Sequence, residues 1–186
     1  FFHWELEFPE VFFDAQGRHD LRGGFDAIIG NPPWDALRAD IGDRDARSKA
    51  RPLRESQLRF YRDAGIYRLQ GAGHVNRYQL FLERALQLVR PGGRIGLILP
   101  SGLATDHGSA ALRRALLDEV AIERLYGFDN RRRIFPIHRD TRFLLLTGTR
   151  SGPTERLTCA FGQQDAAWLD TLPDAAADEP PAMRPI

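Results

Sequence analysis

The feature that most constrains this chain is a short apolar run, Phe25–Ile29, that closes on Gly30 and is followed at once by Asn31-Pro32-Pro33-Trp34. A run of bulky apolar residues that ends in glycine predicts a buried β-strand followed by a turn. The two prolines stiffen the next segment, and the first of them disfavours helical backbone angles at Asn31. The sequence therefore predicts an amide side chain, a fixed carbonyl and an indole at the carboxyl end of a strand, where open α/β sheets bind ligands.

Strands and helices alternate along the rest of the chain. Apolar runs bounded by turn residues predict five strands, at Phe25–Ile29, Arg94–Leu99, Ile122–Phe128, Thr141–Thr147 and Arg156–Phe161. Helical spacing predicts helices at Leu53–Leu69, Tyr78–Val89 and from an N-cap at Ser109 through Leu117. Strands that alternate with helices imply a parallel sheet, and the consecutive strands near the end favour an antiparallel finish.

Composition excludes several classes of protein. The 186 residues make one domain or part of one, and a net charge of +1 supplies no overall basic field for nucleic acid. Cys159, the single cysteine, excludes an internal disulfide, fits a reducing cytoplasm and is expected to pack in the core. No apolar stretch approaches the ~18 residues of a membrane helix, so we expect a cytoplasmic protein with no membrane partner. The five histidines lack ligand spacing, so no metal site is predicted.

The tetrapeptide and the string around it resemble a known family. Asn-Pro-Pro-aromatic after an apolar strand is similar to the catalytic motif of S-adenosylmethionine-dependent amino-methyltransferases. The string Phe-His-Trp-Glu-Leu-Glu-Phe-Pro-Glu-Val-Phe at residues 2–12, with Gly23-Gly24-Phe25-Asp26, narrows the resemblance. With this string included, the chain is similar to adenine-N6 DNA methyltransferases of the type IIG restriction–modification kind and their phage-defence relatives. The resemblance extends from residue 2 to about residue 161.

This resemblance implies a fold and a domain organisation. The fold is α/β, namely the C-terminal half of a Rossmann-like class I S-adenosylmethionine-dependent methyltransferase, a parallel sheet with an antiparallel last strand. Residues 1–161 would be the catalytic half, with an arginine-rich insertion at about 35–73, and residues 162–186 a linker or tail toward a downstream region. No strand–Gly-x-Gly–helix unit precedes Asn31. We therefore expect the cofactor-binding half to lie upstream, and the chain alone to bind S-adenosylmethionine weakly and to be inactive.

The resemblance also assigns roles to the motif. An adenine amine is a poor nucleophile because its lone pair is delocalised, and two acceptors aimed at its hydrogens favour a more reactive, tetrahedral nitrogen. The resemblance gives these roles to the Asn31 side-chain oxygen and the Pro32 carbonyl, with Pro33 completing the catalytic motif and Asn31 also bordering the cofactor. It has Trp34 stack on a base flipped out of the helix. The alternative to a catalytic role is that the four residues form a rigid turn with a partly buried indole.

Two further aromatic residues carry implied roles. Phe81 belongs to a second family motif, with Asn76 and Tyr78, and would bind near the adenine of the cofactor. Its alternative is core packing, because Phe81, Ala85 and Leu88 share a helical stripe. Phe135 matches the aromatic residue that contacts the flipped base from the other side. Its alternative is a hairpin residue packed against the sheet.

Double-stranded DNA is the implied partner, together with the rest of the same polypeptide. The best candidates for phosphate contacts are Arg131, Arg132 and Arg133, because they lie beside Phe135 and no acidic residue is interleaved among them after Asp129. In the arginine-rich insertion, the candidate for DNA contact is Arg38. There, interleaved aspartates equally favour a solvated, salt-bridged surface.

Two other functions remain compatible with the sequence. One is an amino-methyltransferase acting on RNA or on a protein glutamine, although the opening string and the insertion argue against it. The other is a catalytically degenerate module kept for DNA binding or assembly, which the intact Asn31 and Trp34 argue against. Pro100 and Ser101, at the end of the second strand, are expected to form pocket wall.

Overall fold

A computed structural model of the chain describes residues 2–35, 52, 55–61, 63–71 and 75–173. Its strands are β1 Phe25–Gly30, β2 Val89–Pro100, β3 Ala121–Asp129, β4 Arg142–Thr149 and β5 Thr158–Gln163. Its helices are α1 Trp4–Glu7, α2 Pro9–Phe12, α3 with residues 55–61 described, α4 Arg77–Leu88, α5 Gly102–Thr105 and α6 Ala110–Glu119. Short 3-10 segments lie at His107–Ser109, Asn130–Arg132 and Ala166–Thr171.

The five strands form one sheet in the order β1-β2-β4-β3-β5. β1 is parallel to β2 and β3 is parallel to β5, whereas β4 runs antiparallel to both β2 and β3. Four strands therefore point one way and β4 points the other. This confirms the predicted α/β fold class. The antiparallel strand is not the last one, however, because β4 returns between its neighbours and the chain then adds β5 at the edge.

The main core lies between one face of the sheet and the helices α4 and α6. Alternate residues of β2 point into it, as the two-residue period of a strand requires, and Ile95, Leu97 and Leu99 are buried. Leu82 of α4 and Leu112 of α6 meet them from the helical side. Burial of such side chains contributes about 1.5–3 kcal/mol each relative to exposure. This packing fixes β2 and β4 as the rigid centre of the molecule.

The opposite face of the sheet carries an aromatic cluster. Phe128 of β3 and Phe143 of β4 stack with their ring centroids 5.2 Å apart and their planes at 8°. Trp168 contacts Tyr126 edge-on, with 5.0 Å between the ring centroids. Trp34 and Phe135 pack against the same cluster. The second core thus lies directly beside the Asn-Pro-Pro-Trp motif.

The aromatic residues of the opening string pack around the start of β1. The rings of Trp4, Phe8 and Phe12 each lie edge-on to Phe25, with 5.5 Å between the centroids. Edge-to-face pairs of this kind add about 0.5–1.5 kcal/mol beyond the burial of area. The string that narrowed the family resemblance therefore supports the strand that leads into the motif.

Two sequence predictions about local structure are wrong, and a third is confirmed in position only. β1 is not buried, because none of its residues is fully covered and Ile29, on the face of the sheet away from the main core, is 89% exposed. Cys159 is exposed rather than in the core, since β5 is the opposite edge strand. Ser109 does occupy the N-cap position of α6, but its side chain makes no capping hydrogen bond and is fully buried, where it accepts a hydrogen bond from Gln79 at 2.8 Å.

No helix within the described ranges is both long enough and apolar enough to cross a membrane.

Candidate active site

Asn31-Pro32-Pro33-Trp34 follows the carboxyl end of β1 as a segment that belongs to no helix or strand. Asn31 and Pro33 are exposed, Pro32 is buried and Trp34 is partly buried. Among the described residues, none hydrogen-bonds the side chain of Asn31. The motif therefore offers an amide with its hydrogen-bonding capacity unused, on a backbone that two prolines restrain.

The far end of the motif is tied to the start of α4. The backbone N–H of Arg77 donates to the carbonyl oxygen of Asp35 at 3.1 Å. The Arg77 guanidinium also pairs with the Asp35 carboxylate, with 3.0 Å between Nη1 and Oδ2. Because this ion pair is largely exposed, it contributes at most about 1 kcal/mol. Its consequence is geometric, since the motif is held at both ends by regular structure.

The motif lines a cleft of about 320 Å³, which we call the motif cavity. Its residues are Asn31, Pro32, Pro33, Trp34, Phe135, Pro136 and Ile137. Phe135 stands edge-on to the Trp34 indole, with 6.1 Å between the centroids and 86° between the planes. The structure thus brings Phe135 together with all four residues of the motif across about a hundred positions of sequence.

The Trp34 indole is held by packing. It is tilted against Phe143, with 5.7 Å between the ring centroids, and is flanked by Phe135. Its Nε1 is buried without a hydrogen-bond partner in the described part of the chain. Trp34 as a whole is only partly buried, and it lines the motif cavity. The aromatic wall of the cleft is consequently continuous with the aromatic core.

A second and larger cavity, of about 550 Å³, lies on the β1 side of the motif, and we call it the β1 cavity. It is mostly apolar and includes Ile29, Tyr67 and Phe81. Pro33 lines both cavities, so the motif forms the boundary between them. Two ligands, one bound in each cavity, would therefore come together at the motif.

Phe81 is 40% exposed, although Ala85 and Leu88 on the same stripe of α4 are buried. A Cβ placed on Gly30 would lie 3.6 Å from its Cζ, so the ring borders the residue just before Asn31. Simple core packing of Phe81 therefore does not describe its position. Tyr78 on the same helix is buried, and this burial raises the pKa of its hydroxyl, which hydrogen-bonds Ser109 at 3.1 Å.

The predicted basic residues lie on the loop that carries Phe135. Arg131 is engaged by the Asp129 carboxylate, with 3.2 Å between Nε and Oδ2. Arg132 and Arg133 are exposed and form no ion pair with a described residue. Arg139 on the same loop is equally exposed, and the sequence analysis missed it because it stands apart from the arginine run. Arg38 lies outside the described residues.

Pro100 and Ser101, which were predicted to form pocket wall, do not line the motif cavity. The Ser101 N–H donates instead to the carbonyl of Arg142 at 3.0 Å, which continues the pairing of β2 with β4. Among the described ranges, no group of three or more potential metal-ligating side chains is present.

One residue that organises this site was missed by the sequence analysis. Asn130, at the end of β3, is fully buried and hydrogen-bonds three backbone carbonyls in the loop that carries Phe135. The only sequence signal was an asparagine after an apolar strand, which by itself predicts a turn.

A family model described as Eco57I restriction-modification methylase matches residues 1–135, a span that includes both the motif and Phe135. No curated protein sequence matches the chain.

Solved structures share the fold. A modification subunit of a type I restriction enzyme from Vibrio vulnificus YJ016 superposes with a TM-score of 0.51 at 20% identity, covering 81% of this chain and 28% of its own. A class I S-adenosylmethionine-dependent methyltransferase from Listeria monocytogenes gives 0.50 at 14% identity, covering 80% and 40%. The DrdV–DNA complex gives 0.50 at 16% identity, covering 76% and 15%. The chain therefore spans less than half the length of each of these proteins.

Proposed function

The chain belongs to the Eco57I restriction-modification methylase family, and from that premise we propose that it is the catalytic half of a site-specific adenine-N6 DNA methyltransferase. The enzyme would act in a restriction–modification or phage-defence system, on an adenine flipped out of double-stranded DNA. The observation that carries the proposal is the motif cavity, where the amide of Asn31, unpaired among the described residues, lines a cleft together with Trp34 and Phe135.

The motif cavity suits a flat base that bears an exocyclic amine. The Asn31 side-chain oxygen and the Pro32 carbonyl would accept hydrogen bonds from the amine, and would orient its lone pair toward the methyl donor. Trp34 and Phe135 offer apolar surfaces for the ring, and a stacked base gains about 1–3 kcal/mol. The protein's own contribution would then be positioning, because correct alignment of the reacting atoms can supply about 7–11 kcal/mol of the barrier.

The β1 cavity suits the methyl donor. Its apolar lining includes Phe81, whose exposed ring could stack on the adenine of S-adenosylmethionine, and Pro33 of the motif. We propose that Asn31, two residues before Pro33, also borders the bound cofactor. When bound, this cofactor supplies a methyl group activated on a sulfonium sulfur. We propose that an upstream half of the same polypeptide completes the site against the open edge of β1. Without it, the chain would bind cofactor weakly and turn over little substrate.

DNA would approach over the loop that carries Phe135. Arg132 and Arg133 are the cations that we propose for phosphate contacts, because both are exposed and unpaired among the described residues. Arg131 would contribute less, since Asp129 already neutralises it. Arg38 keeps its proposed role in DNA contact. Salt should weaken binding steeply if these contacts form.

The test is transfer of radiolabelled methyl groups from S-adenosylmethionine to DNA, RNA and protein by the parent polypeptide that contains this chain. We expect label on DNA adenine, and Asn31→Ala should reduce the rate about 100-fold or more because one preorganised polar contact is lost. Gln16→Ala, which removes an exposed amide that lines neither cavity, should retain the rate. Label in RNA or protein, or no label from a folded enzyme, would contradict the proposal.

A further inference from the structure

The loop between β3 and β4 depends on a single buried side chain. Asn130 has no exposed surface, and its Nδ2 donates to the carbonyl oxygens of Phe135 at 3.1 Å, Ile137 at 3.2 Å and His138 at 3.2 Å. Its Oδ1 accepts the N–H of Phe135 at 2.9 Å. One carboxamide therefore satisfies four backbone groups of a segment that belongs to no helix or strand.

The backbone of Asn130 closes the same loop. Its N–H donates to the carbonyl of Thr141 at 3.0 Å, and its carbonyl accepts the N–H of Arg133 at 2.8 Å. Arg133 adopts a left-handed conformation with φ of 57°, the single positive φ outside glycine among the described residues. Backbone polar groups in such a loop need partners, and the side chain and backbone of Asn130 together pair with six of them.

Only an uncharged carboxamide of this length offers both the hydrogen-bond donors for the carbonyls and the acceptor for the Phe135 N–H. Two amide hydrogens serve three carbonyl acceptors, so at least one hydrogen is shared. An aspartate would keep the acceptor for Phe135 but would lose both donors and place negative charge beside three carbonyl oxygens. This hydrogen-bond pattern therefore favours asparagine over aspartate, although the two side chains are of nearly equal size.

The loop that Asn130 holds is also one wall of the motif cavity. Phe135, Pro136 and Ile137 line that cavity opposite Asn31. The Phe135 ring contacts Trp34 on one side and Phe143 on another, with 5.0 Å between the centroids of Phe135 and Phe143. A shift of the loop would change the width of the cleft, although Asn130 itself does not line it.

We propose that Asn130 is a positioning residue for the flipped base, acting through Phe135, an inference that rests on the proposed function. By fixing the carbonyls and the N–H of the loop, it holds the Phe135 ring at one separation from the motif. Asn130 takes no part in the chemistry. Its loss should therefore impair capture of the base and leave binding of the cofactor intact.

The experiment uses the parent polypeptide and a DNA duplex with 2-aminopurine in place of the methylated adenine, whose fluorescence rises when the base leaves the stack. Asn130→Asp should reduce the fluorescence rise and lower kcat/KM for DNA about 10- to 100-fold, as expected from a misplacement of roughly 1 Å. KM for S-adenosylmethionine should not change. Asn130→Ser, which keeps one donor and one acceptor without charge, should give an intermediate loss.

Two controls separate positioning from general stability. Ser109→Ala removes another fully buried polar side chain, one that hydrogen-bonds Tyr78 and Gln79 away from the motif cavity, and should lower Tm without reducing the fluorescence rise. In a Phe135→Ala background, Asn130→Asp should have little additional effect, because the residue acts through that ring.

The outcomes are distinguishable. Failure of the unmodified enzyme to methylate adenine or to flip 2-aminopurine overturns the proposed function itself. An active enzyme in which Asn130→Asp behaves like Ser109→Ala, or is fully additive with Phe135→Ala, overturns only the role of Asn130. If neither Asn130 variant folds, Asn130 is a residue of the fold and the positioning role is likewise overturned.

Discussion

β1 and β2 are parallel neighbours with similar apolar sequences but opposite environments. Ile95 of β2 is 2% exposed, between helices on one face and strands on both sides, whereas Ile29 of β1 is 89% exposed. The two side chains point to opposite faces of the sheet, because Ile95 pairs in register with Ile28, which packs on the main core, whereas Ile29 pairs with Gly96. An apolar run therefore establishes a strand without establishing how much of it is covered.

The open side of β1 has the character of a surface that another segment covers. Exposed strand edges invite pairing, and a contiguous apolar patch marks an interaction site. The β1 cavity begins there, with Ile29 and Phe81 both partly or largely exposed. The centre of the sheet, in contrast, is complete within this chain. The comparison predicts that substitutions in the centre act on this chain's stability and that substitutions at the edge act on assembly.

The largest effect on the stability of this chain is expected from a substitution at the centre of the sheet. Ile95→Ala removes a buried branched side chain from β2, and the cavity that remains should reduce the free energy of unfolding by about 2–5 kcal/mol. Urea denaturation of this chain, followed by circular dichroism, measures the change. A loss below about 1 kcal/mol would show that the centre is loosely packed, and the contrast between the two strands would disappear.

A smaller effect is expected where the chain borders the β1 cavity. Glu83 on α4 is 2% exposed, and its carboxylate accepts hydrogen bonds from the N–H groups of Arg68 and Leu69 and from Gln70 Nε2. These bonds hold the segment that places Tyr67 in the cavity wall. Glu83→Ala leaves buried donors without an acceptor, which should cost about 1–3 kcal/mol in the free energy of unfolding.

The matched variant is Glu83→Gln. Gln70 Oε1 is buried and has no partner among the described residues, so the Gln70 amide can turn over and accept from the new side-chain amide at position 83. The remaining oxygen would still accept from the backbone of Arg68 and Leu69. We expect a loss below about 1 kcal/mol. Equal losses for Glu83→Ala and Glu83→Gln would show that the charge, and not the hydrogen-bond pattern, holds this segment.

Sequence patterns were sufficient for the fold because they report side-chain periodicity. The strands and α4 appear where alternation or helical spacing placed them, with ends that differ by a few residues. Periodicity carries no information about neighbouring strands, so β1 and the strand with Cys159 were both assigned to the interior and both lie at sheet edges. The same limit hid the position of β4, which is set by pairing across the sheet.

The candidate site likewise contains residues that the sequence predicted and one that it did not. Asn31 and Phe135 were identified through family resemblance, and the structure places both on one cleft. Asn130 was missed because its importance lies in three carbonyls whose positions exist only in the folded loop. Ser109 shows the converse error, since a side chain expected to cap a helix is instead a buried partner of Gln79. Local motifs can be recognised in a sequence, whereas hydrogen bonds between distant segments cannot.

The smallest effect in this chain, and the sharpest test of the comparison, is expected at Ile29. Ile29→Ala removes a side chain that contacts mainly water, so the free energy of unfolding of residues 1–186 should change by less than about 0.5 kcal/mol. If an upstream segment of the parent polypeptide covers the face of β1 that carries Ile29, the same substitution becomes a core deletion there and should cost about 2 kcal/mol or more. Ile95→Ala is the control, since its effect should be similar in both contexts. Paired urea denaturation of the chain and the parent measures the difference. An Ile29→Ala loss that is equally small in the parent would mean that the face of β1 that carries Ile29 stays uncovered there.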